Sequence, residues 1–190
     1  MIEENINGIK LFFNTDGATF AARGLDKGTL AMLSVAALTP SDKVLDLGCG
    51  YGVVGIYAAK LIGAQNVVMS DIDEACVRLS IQNAELNGVG EAKVILSDCF
   101  DNIHDKDFTI ILSNPPYHSD FSVPKRFVEK GFNRLVVGGR MLLVTKRKDW
   151  YKNKLTAIFG GVRIYEIDGY YVFLAEKRDT CYASAKRAIV

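Results

Sequence analysis

The sequence lacks the features of secreted, disulfide-bonded and membrane-spanning proteins. Its first residues, Met-Ile-Glu-Glu-Asn, do not form the basic start and apolar core of a signal peptide. No apolar run approaches the roughly 20 residues that span a membrane. The four cysteines are widely separated, with no CxxC pair, at Cys49, Cys76, Cys99 and Cys181. This spacing is typical of reduced, buried thiols, so we predict a cytoplasmic protein without a cysteine-bound metal or disulfides.

The whole chain also lacks a large excess of charge of either sign, although two of its segments each have one. The net charge of the 190 residues is +1. Residues 66–110 contain 3 Lys and Arg against 9 Asp and Glu, a balance of −6, whereas residues 121–163 contain 11 against 2, a balance of +9. The basic segment favours a polyanionic partner such as RNA. A solvated, lysine-rich surface is the alternative interpretation of the same pattern.

Strand-like and helix-like segments alternate through most of the chain. Strand patterns occur at 43–47, 66–70, 92–96, 108–113, 141–145, 162–167 and 170–175, and helical patterns at 26–38, 53–62, 74–87, 125–137 and 148–159. They predict an α/β fold with a doubly wound, mostly parallel seven-stranded sheet, helices on both faces and a C-terminal antiparallel hairpin. We expect one domain over 1–190, with a one-helix preamble over 1–40 and a Rossmann-like core over 43–175.

A glycine-rich loop follows the first predicted strand. It reads Asp46-Leu-Gly48-Cys-Gly50-Tyr-Gly52-Val-Val-Gly55. Glycines at a strand-to-helix turn bring the backbone close to a ligand and leave helix N–H groups directed at it. The spacing of Gly50, Gly52 and Gly55 formally matches the dinucleotide fingerprint, but Gly48 and the acidic Asp46 precede it. A carboxylate at Asp46 suits the ammonium group of an amino acid and disfavours a pyrophosphate.

Two further carboxylates end the next two strands. Asp71 is placed to bind both hydroxyls of a ribose, and Asp98 is placed to accept a hydrogen bond from an adenine amine. Adenine, ribose and an amino acid together describe S-adenosylmethionine. A strand-end aspartate that only caps a helix is the alternative, and we expect that role for Asp73.

The most informative segment is Asn114-Pro-Pro-Tyr117, which ends the apolar run at 108–113. Proline has no N–H and cannot continue a strand, and it pushes the preceding residue towards extended geometry. Asn114 is therefore expected at the end of a strand with its amide directed outward, near rigid backbone carbonyls and the aromatic ring of Tyr117. This arrangement suits a planar group that carries an NH₂. A Pro-Pro turn with a capping asparagine is the alternative.

At these residues the sequence resembles the class I S-adenosylmethionine-dependent methyltransferases. The segment from Asp46 to Gly52 is similar to their first motif, Asp71 to their second-strand acid, and Asn114-Pro-Pro-Tyr117 to a fourth motif of members that methylate nitrogen in adenine, guanine or glutamine. The resemblance implies that S-adenosylmethionine is the cofactor. The implied cofactor-binding residues are Asp46, Gly48, Cys49, Gly50, Gly52, Asp71, Ile72, Asp98, Cys99 and Asn114, and the implied catalytic residues are Asn114, Pro115, Pro116 and Tyr117.

Other segments are similar to the "small-domain" methyltransferases, which include ribosomal RNA guanine-N2 enzymes. These segments are Phe13-Asn-Thr-Asp16-Gly17, Asp26-Lys-Gly28-Thr29, the extension of the fourth motif to His118, and Gly169-Tyr-Tyr-Val172. In this family the stretch Lys27-Gly28-Thr29 is expected to approach the cofactor. The bacterial guanine enzymes carry an additional amino-terminal domain that this sequence does not contain, so it is more similar to stand-alone members.

The resulting hypothesis is a methyltransferase that acts on RNA, with guanine N2 of ribosomal RNA as its target. The Asn114 side-chain oxygen and the Pro115 carbonyl would accept the two N–H groups of the amine, while Tyr117 would stack on a flipped base. Three alternatives remain at this point. They are methylation of a protein glutamine amide, methylation of adenine N6, and a nucleotide-binding module that holds NAD through residues 50–55 without catalysis.

Overall fold

The computed structural model describes residues 1–15, 25–115 and 121–184. Its elements, in chain order, are strands β1 (Ile2–Ile6) and β2 (Ile9–Phe13), helix α1 (Lys27–Val35), strand β3 (Val44–Leu47), helix α2 (Val53–Ile62), strand β4 (Val67–Asp71), helix α3 (Glu74–Leu86), strands β5 (Lys93–Leu96) and β6 (Phe108–Ser113), helix α4 (Ser122–Arg134), strand β7 (Leu135–Thr145), helix α5 (Asp149–Phe159), and strands β8 (Arg163–Ile167) and β9 (Tyr170–Glu176). None of the described helices is long and apolar enough to cross a membrane.

Seven strands form one sheet in the order β5-β4-β3-β6-β7-β9-β8. The first five are parallel to one another, and β9 runs antiparallel to both β7 and β8. The predicted fold class is therefore confirmed, including the terminal hairpin. Because β9 is reversed, the turn between β8 and β9 lies at the same edge as the carboxyl ends of the parallel strands. In sheets of this type that edge is where ligands bind.

The sheet is buried by helices on both faces, which explains its apolar central strands. Strand β3 has no exposed residue, and its side chains alternate between two cores. Val44 packs with α1, α2 and the β1–β2 hairpin, whereas Leu45 and Leu47 pack with α4 and α5 on the other face. Parallel strands covered on both faces lose the simple alternation of polar and apolar residues.

The β1–β2 hairpin was not predicted, because only a helix was expected in the preamble. Its turn is Asn7-Gly8, with φ values of +50° and +85°. Two successive residues with positive φ match the hairpin turn for which Asn-Gly is the strongest short signal. The buried side chains of Ile6, Leu11 and Phe13 anchor the hairpin in the core. The Asn-Gly dipeptide between apolar residues was the signal that would have identified it.

Two buried asparagines, Asn83 in α3 and Asn87 at its C-cap, hold this hairpin in place. Asn87 accepts from the backbone N–H of Phe12 at 2.9 Å and donates to its carbonyl at 2.7 Å. Asn83 accepts from the N–H of Asn14 at 2.7 Å and donates to the carbonyl of Tyr51 at 2.9 Å. The two asparagine side chains thus supply backbone groups of the hairpin segment with hydrogen bonds that a neighbouring strand would otherwise make. They also join the hairpin to the glycine-rich loop.

The boundary between α4 and β7 differs from the prediction. The helical pattern was expected to continue to Val137, but α4 ends at Arg134 and residues 135–139 already belong to β7. Hydrogen bonds explain the difference, since the N–H of Gly138 donates to the carbonyl of Lys177 at 2.7 Å and the N–H of Lys177 to that of Gly139 at 2.8 Å. Pairing with the end of β9 therefore overrides the local helical pattern.

Candidate active site

A cavity of about 540 Å³ lies at the carboxyl edge of the sheet. This volume is within the range of small-molecule and cofactor sites, about 300–1,000 Å³. Its walls come from the loops after β3, β4, β5 and β6 and from the first turns of α1 and α4. Lining residues that bear on function are Asp26, Thr29, Asp46, Gly48, Cys49, Gly50, Asp71, Ile72, Asp98, Cys99, Asn114, Pro115, Val123 and Phe127.

Most residues that the sequence implicates are brought together here. Three of the expected cofactor contacts, Gly52, Lys27 and Gly28, do not line the cavity in the described part of the chain, although Thr29 does. Pro116 and Tyr117 lie outside the described residues. The roles of all these residues in binding and catalysis stay predictions.

The glycine-rich loop brings bare backbone to the cavity wall. Gly48, Gly50 and Gly52 have φ values of +77°, +57° and +95°, which residues with a Cβ rarely adopt. The N–H of Gly50 donates to Asp71 Oδ2 at 2.8 Å. A Cβ placed on Gly50 would meet no described atom within 4 Å, so its backbone borders open space. A ligand can therefore approach the main chain at Gly50 without a side chain between them.

Asp46 lies beneath this loop and is only 2% exposed. Its Oδ2 accepts a hydrogen bond from the N–H of Gly55 at 2.8 Å, at the start of α2. The pKa of Asp46 is raised to about 7, mainly by burial and to a smaller extent by the neighbouring Asp71 carboxylate, while the hydrogen bond from Gly55 acts in the opposite direction. A cation in the cavity would therefore be attracted to this carboxylate and would favour its ionised form.

Asp71 and Asp98 occupy the next two strand ends, with different partners. Asp71 accepts from the N–H groups of Gly50 and Asp73, so its carboxylate is oriented by the backbone. Asp73 caps α3 by accepting from the N–H of Ala75 at 2.7 Å, as predicted. Asp98 is about half-exposed, and its two oxygens accept from Arg126 at 3.0 and 2.9 Å. The three expected cofactor carboxylates thus line one cavity, with Asp98 at its exposed rim.

Two of the three cysteines that line the cavity, Cys49 and Cys99, do not have the properties of nucleophiles. Burial raises the pKa of Cys49 well above its usual value, and Asp46 adds to the effect. Burial likewise raises the pKa of Cys99 to about 11. Reactive cysteines have lowered pKa values because the thiolate is the nucleophile. Both residues are therefore thiols at neutral pH and contribute packing to the cavity wall.

The amide of Asn114 is oriented by the beginning of α1. Its Nδ2 donates to Asp26 Oδ2 at 2.7 Å and to Thr29 Oγ1 at 3.1 Å. The same Asp26 oxygen accepts from the N–H of Thr29 at 2.9 Å, which makes Asp26 the N-cap of α1. A carboxylate can only accept, so the NH₂ end of the amide is the end that faces Asp26. The acceptor Oδ1 is consequently held at the opposite end.

Tyr170, the first residue of β9, completes this hydrogen-bonded group. Its hydroxyl donates to Asp26 Oδ1 at 3.3 Å. A Cβ on Gly28 would lie 2.7 Å from the Tyr170 ring, so the absence of a side chain at Gly28 lets the ring pack against α1. Gly28 therefore supports the cavity indirectly, through Tyr170 and Asp26, and not by lining it.

Asp26 and Tyr170 are site residues that the sequence did not identify individually. Both lie within segments noted for their resemblance to the small-domain methyltransferases, and that was the available signal. Their contacts with each other and with Asn114 join positions 144 and 88 residues apart. No local pattern reports such a contact.

The cavity fits S-adenosylmethionine, the cofactor that the motifs imply. Asp46 suits the ammonium group, Asp71 the ribose hydroxyls and Asp98 the adenine amine. Gly50 provides bare backbone, while Ile72, Val123 and Phe127 supply apolar walls. The chemistry of the lining residues thus matches each part of the cofactor.

Comparison with known proteins agrees with this geometry. Residues 10–175 match the family described as "Methyltransferase small domain". The chain is 31% identical over 171 residues to YbxB of Bacillus subtilis, an uncharacterized protein, with 87% of this chain and 85% of YbxB covered. It is 33% identical over 167 residues to ribosomal RNA small subunit methyltransferase C of Psychromonas ingrahamii, with 84% of this chain and 46% of that protein covered.

Solved structures give the same result. The 16S rRNA N2 G1207 methyltransferase of Thermus thermophilus, in complex with AdoMet and guanosine, has a TM-score of 0.80 at 30% identity, covering 93% of this chain and 50% of that one. Our chain thus spans about half the length of the named ribosomal RNA methyltransferases. A ribosomal protein L11 methylase from Lactobacillus delbrueckii has a TM-score of 0.67 at 17% identity, with 80% of this chain and 78% of that one covered, a likeness that shows the fold alone.

Proposed function

Because the chain belongs to the methyltransferase small domain family, we propose that it methylates an exocyclic amine of an RNA base, with guanine N2 of ribosomal RNA as the target. The protein is an S-adenosylmethionine-dependent methyltransferase. Support for guanine comes from the Thermus thermophilus relative, whose structure contains guanosine. Support for ribosomal RNA comes from the named relatives and from the basic segment over residues 121–163.

The observation that carries this proposal is the orientation of Asn114 at the cavity. Because its NH₂ donates to Asp26 and Thr29, the amide oxygen, not the amide nitrogen, is the atom that would accept from a substrate amine. The carbonyl of Pro115, the next residue in the cavity wall, is a second acceptor. A primary amine has two N–H groups to donate, so the two acceptors match it in number.

These acceptors address the main difficulty of the reaction. An exocyclic amine is a poor nucleophile because its lone pair is delocalised into the purine ring. Accepting both N–H groups draws the nitrogen towards tetrahedral geometry and localises the lone pair. A cavity that excludes water strengthens such hydrogen bonds, and positioning supplies near-attack geometry. When bound, S-adenosylmethionine supplies a methyl group on a sulfonium, which leaves as a neutral thioether.

Asp26 is a positioning residue in this scheme. Its carboxylate holds the NH₂ end of Asn114, which prevents the amide from rotating and presenting a donor to the substrate amine. Hydrogen bonds in a chain also polarise one another, so donation to an anion makes the amide oxygen a stronger acceptor. After methyl transfer the substrate nitrogen is acidic and loses its proton readily. The site therefore requires no dedicated general base.

The test of this function is the identity of the methylated molecule. The protein is incubated with S-adenosylmethionine labelled in the methyl group and with separate pools of ribosomal RNA, tRNA, DNA and protein. We expect label in ribosomal RNA, and N2-methylguanosine after digestion to nucleosides. Label confined to protein would overturn the RNA assignment and favour a glutamine amide. Label in N6-methyladenosine would keep RNA as the substrate but would make adenine N6, not guanine N2, the target.

A further inference from the structure

A basic loop follows β7 at the same edge of the sheet as Asn114. It consists of Lys146, Arg147 and Lys148, all exposed. The last residue of β6, Ser113, pairs with Leu143 of β7, so the chain leaves β7 only a short distance beyond the strand end that carries Asn114. The topology therefore places three consecutive cations beside the proposed substrate side of the cavity.

Contacts between side chains connect this loop to Asn114. The Lys146 Nζ lies 4.9 Å from the centre of the Tyr170 ring. The Tyr170 hydroxyl donates to Asp26, and Asp26 accepts from Asn114. A chain of contacts through Tyr170 and Asp26 thus connects the ammonium group of Lys146 to the amide proposed to act on the substrate.

The rest of the loop lies over aromatic rings. The Arg147 guanidinium is 5.1 Å from the centre of the Phe121 ring, and the Lys148 Nζ is 5.0 Å from that of Tyr171. Phe121 stacks on Trp150 with ring centres 4.4 Å apart and an interplanar angle of 13°. Phe121, Trp150 and Tyr171 are all partly exposed. Cations interleaved with accessible aromatic rings are typical of surfaces that bind single-stranded nucleic acid.

The two lysines of the loop differ from Arg126, Lys130 and Lys154 of the same basic segment, whose charges are paired with carboxylates. Arg126 and Lys130 bind Asp98 and Asp101, and Lys154 binds Glu129. Within residues 1–15, 25–115 and 121–184, neither Lys146 nor Lys148 forms an ion pair with a carboxylate. Asp149 is the adjacent acid, and it begins α5, where the positive end of the helix stabilises a carboxylate.

We infer that the basic loop, together with Phe121, Trp150 and Tyr171, is the surface that holds the RNA strand beside the target base. Lys146 and Lys148 would contact phosphates flanking that base, and the aromatic rings would contact neighbouring bases. This inference rests on the proposed function, since it specifies how the same active site holds RNA. The ribosomal RNA methyltransferases reported above are about twice as long as this chain, so the test measures RNA binding by this chain alone.

A charge-removal pair tests the loop against an equivalent change elsewhere. The test variant is Lys146→Gln/Lys148→Gln. The control is Lys106→Gln/Arg163→Gln, which removes the same charge from two exposed residues at the opposite edge, before β6 and at the start of β8. Binding of a short fluorescein-labelled single-stranded RNA is measured by fluorescence anisotropy between about 50 and 200 mM KCl. Calorimetry with S-adenosylhomocysteine checks that each variant keeps its cofactor site.

Each phosphate neutralised on a single strand contributes about −0.7 to the slope of log K against log salt. We therefore expect the test variant to lose about 1.4 units of slope and to bind RNA roughly 10- to 25-fold more weakly at about 0.1 M KCl. The control should keep the wild-type slope and affinity. The variant Lys146→Arg/Lys148→Arg should also keep them, because phosphates accept from either cation.

Two results would overturn the inference. Equal losses in the test and control variants would show that only overall charge matters, and an unchanged slope in the test variant would show that the loop does not contact phosphate. In either case the proposed function would still hold if the wild-type protein methylates RNA. Methylation of protein alone by the wild-type protein would instead remove the proposed function and this inference with it.

Discussion

The carboxyl edge of the sheet has two sides that are built differently. The cofactor side follows β3, β4 and β5, and it is acidic and oriented by backbone N–H groups of nearby sequence. Asp46 and Asp71 accept from Gly55 and Gly50, which are 9 and 21 positions away. The substrate side comprises Asn114, Pro115, the basic loop at 146–148 and Phe121, Trp150, Tyr170 and Tyr171.

The substrate side depends on contacts between distant side chains. Asn114 and Asp26 are 88 positions apart, and Tyr170 and Asp26 are 144 apart. Its charge is also opposite, since cations border it while carboxylates line the cofactor side. Under the proposed function, one active site would join a small cationic ligand and a large anionic one, each next to charges of the opposite sign. Mutations on the substrate side should consequently lower turnover without lowering cofactor affinity, and mutations on the cofactor side should change cofactor affinity.

The largest expected effect is the loss of turnover in Asn114→Ala. Removing one preorganised hydrogen-bonding group from an active site typically lowers kcat by about 100- to 1,000-fold. The affinity for S-adenosylhomocysteine should stay nearly unchanged, because the cofactor side keeps its own hydrogen bonds. Turnover with labelled cofactor and calorimetry measure the two quantities. The matched control is Asn133→Ala on the exposed surface of α4, which should keep both. Equal losses of turnover and cofactor affinity would make Asn114 a structural residue.

A smaller effect is expected for Asp26→Ser. Serine is as good an N-cap as aspartate, so α1 should keep its start, but the shorter side chain cannot reach Asn114 or Tyr170. We expect kcat to fall roughly 10- to 100-fold as positioning is lost, with little change in KM or in the melting temperature.

Asp26→Asn is the conservative companion to that variant. Its amide oxygen can still accept from Thr29 and Asn114, so most of the activity should return. Wild-type kcat in the serine variant would contradict a positioning role. A large drop in melting temperature in both variants would indicate that Asp26 only stabilises the fold.

A smaller effect than that of Asp26→Ser is expected when the pH changes the ionisation of Asp46 on the cofactor side. The pKa of Asp46 is about 7 in the folded protein against an ordinary value of 3.8. Binding of the ammonium group requires the ionised form, so affinity for S-adenosylhomocysteine should rise up to about tenfold between pH 6 and pH 8. Calorimetry across this range measures it, and Asp46→Asn, which cannot ionise, corrects for titration of the ligand. Parallel pH profiles for both proteins would contradict the assignment.

The same pKa has a consequence for stability without cofactor. The folded state binds more protons than the unfolded state between about pH 4 and pH 7, because the folded pKa is the higher one. The contribution of Asp46 to the free energy of unfolding should therefore be fully present below about pH 4 and be lost as the pH rises to 7. Asp46→Asn should remove that part of the pH dependence in urea unfolding.

The smallest effect is expected for Arg126→Gln. The ion pair with Asp98 is at the rim and partly exposed, and exposed pairs contribute about 0–1 kcal/mol. Cofactor affinity should change by less than about threefold, because Asp98 keeps its place after β5. Calorimetry at low and high salt measures this. A loss of tenfold or more would show that Arg126 itself contacts the ligand.

The order of elements and the fold class were predictable because they depend on local periodicity. Buried parallel strands appear as short apolar runs and glycines mark the ends of helices, so the class I fold was confirmed, together with the family and its cofactor. The hairpin at residues 2–13 was absent from the prediction, and the predicted end of α4 was wrong. The turn of the hairpin has a local signal, Asn7-Gly8, but its attachment to the core depends on the distant Asn83 and Asn87, and the start of β7 depends on the distant Lys177.

The candidate site divides in the same way. By itself the sequence determined that Asp46, Asp71, Asp98 and Asn114 lie at or just beyond the ends of strands, because residue type and strand ends are local properties. Only the tertiary structure decided that Asp26 holds the amide of Asn114, that Gly28 admits the ring of Tyr170, and that the ammonium group of Lys146 lies over that ring. Such contacts depend on which strands become neighbours and on how closely helices pack against them. Side-chain orientation over those distances is a property of the packed molecule and not of any segment.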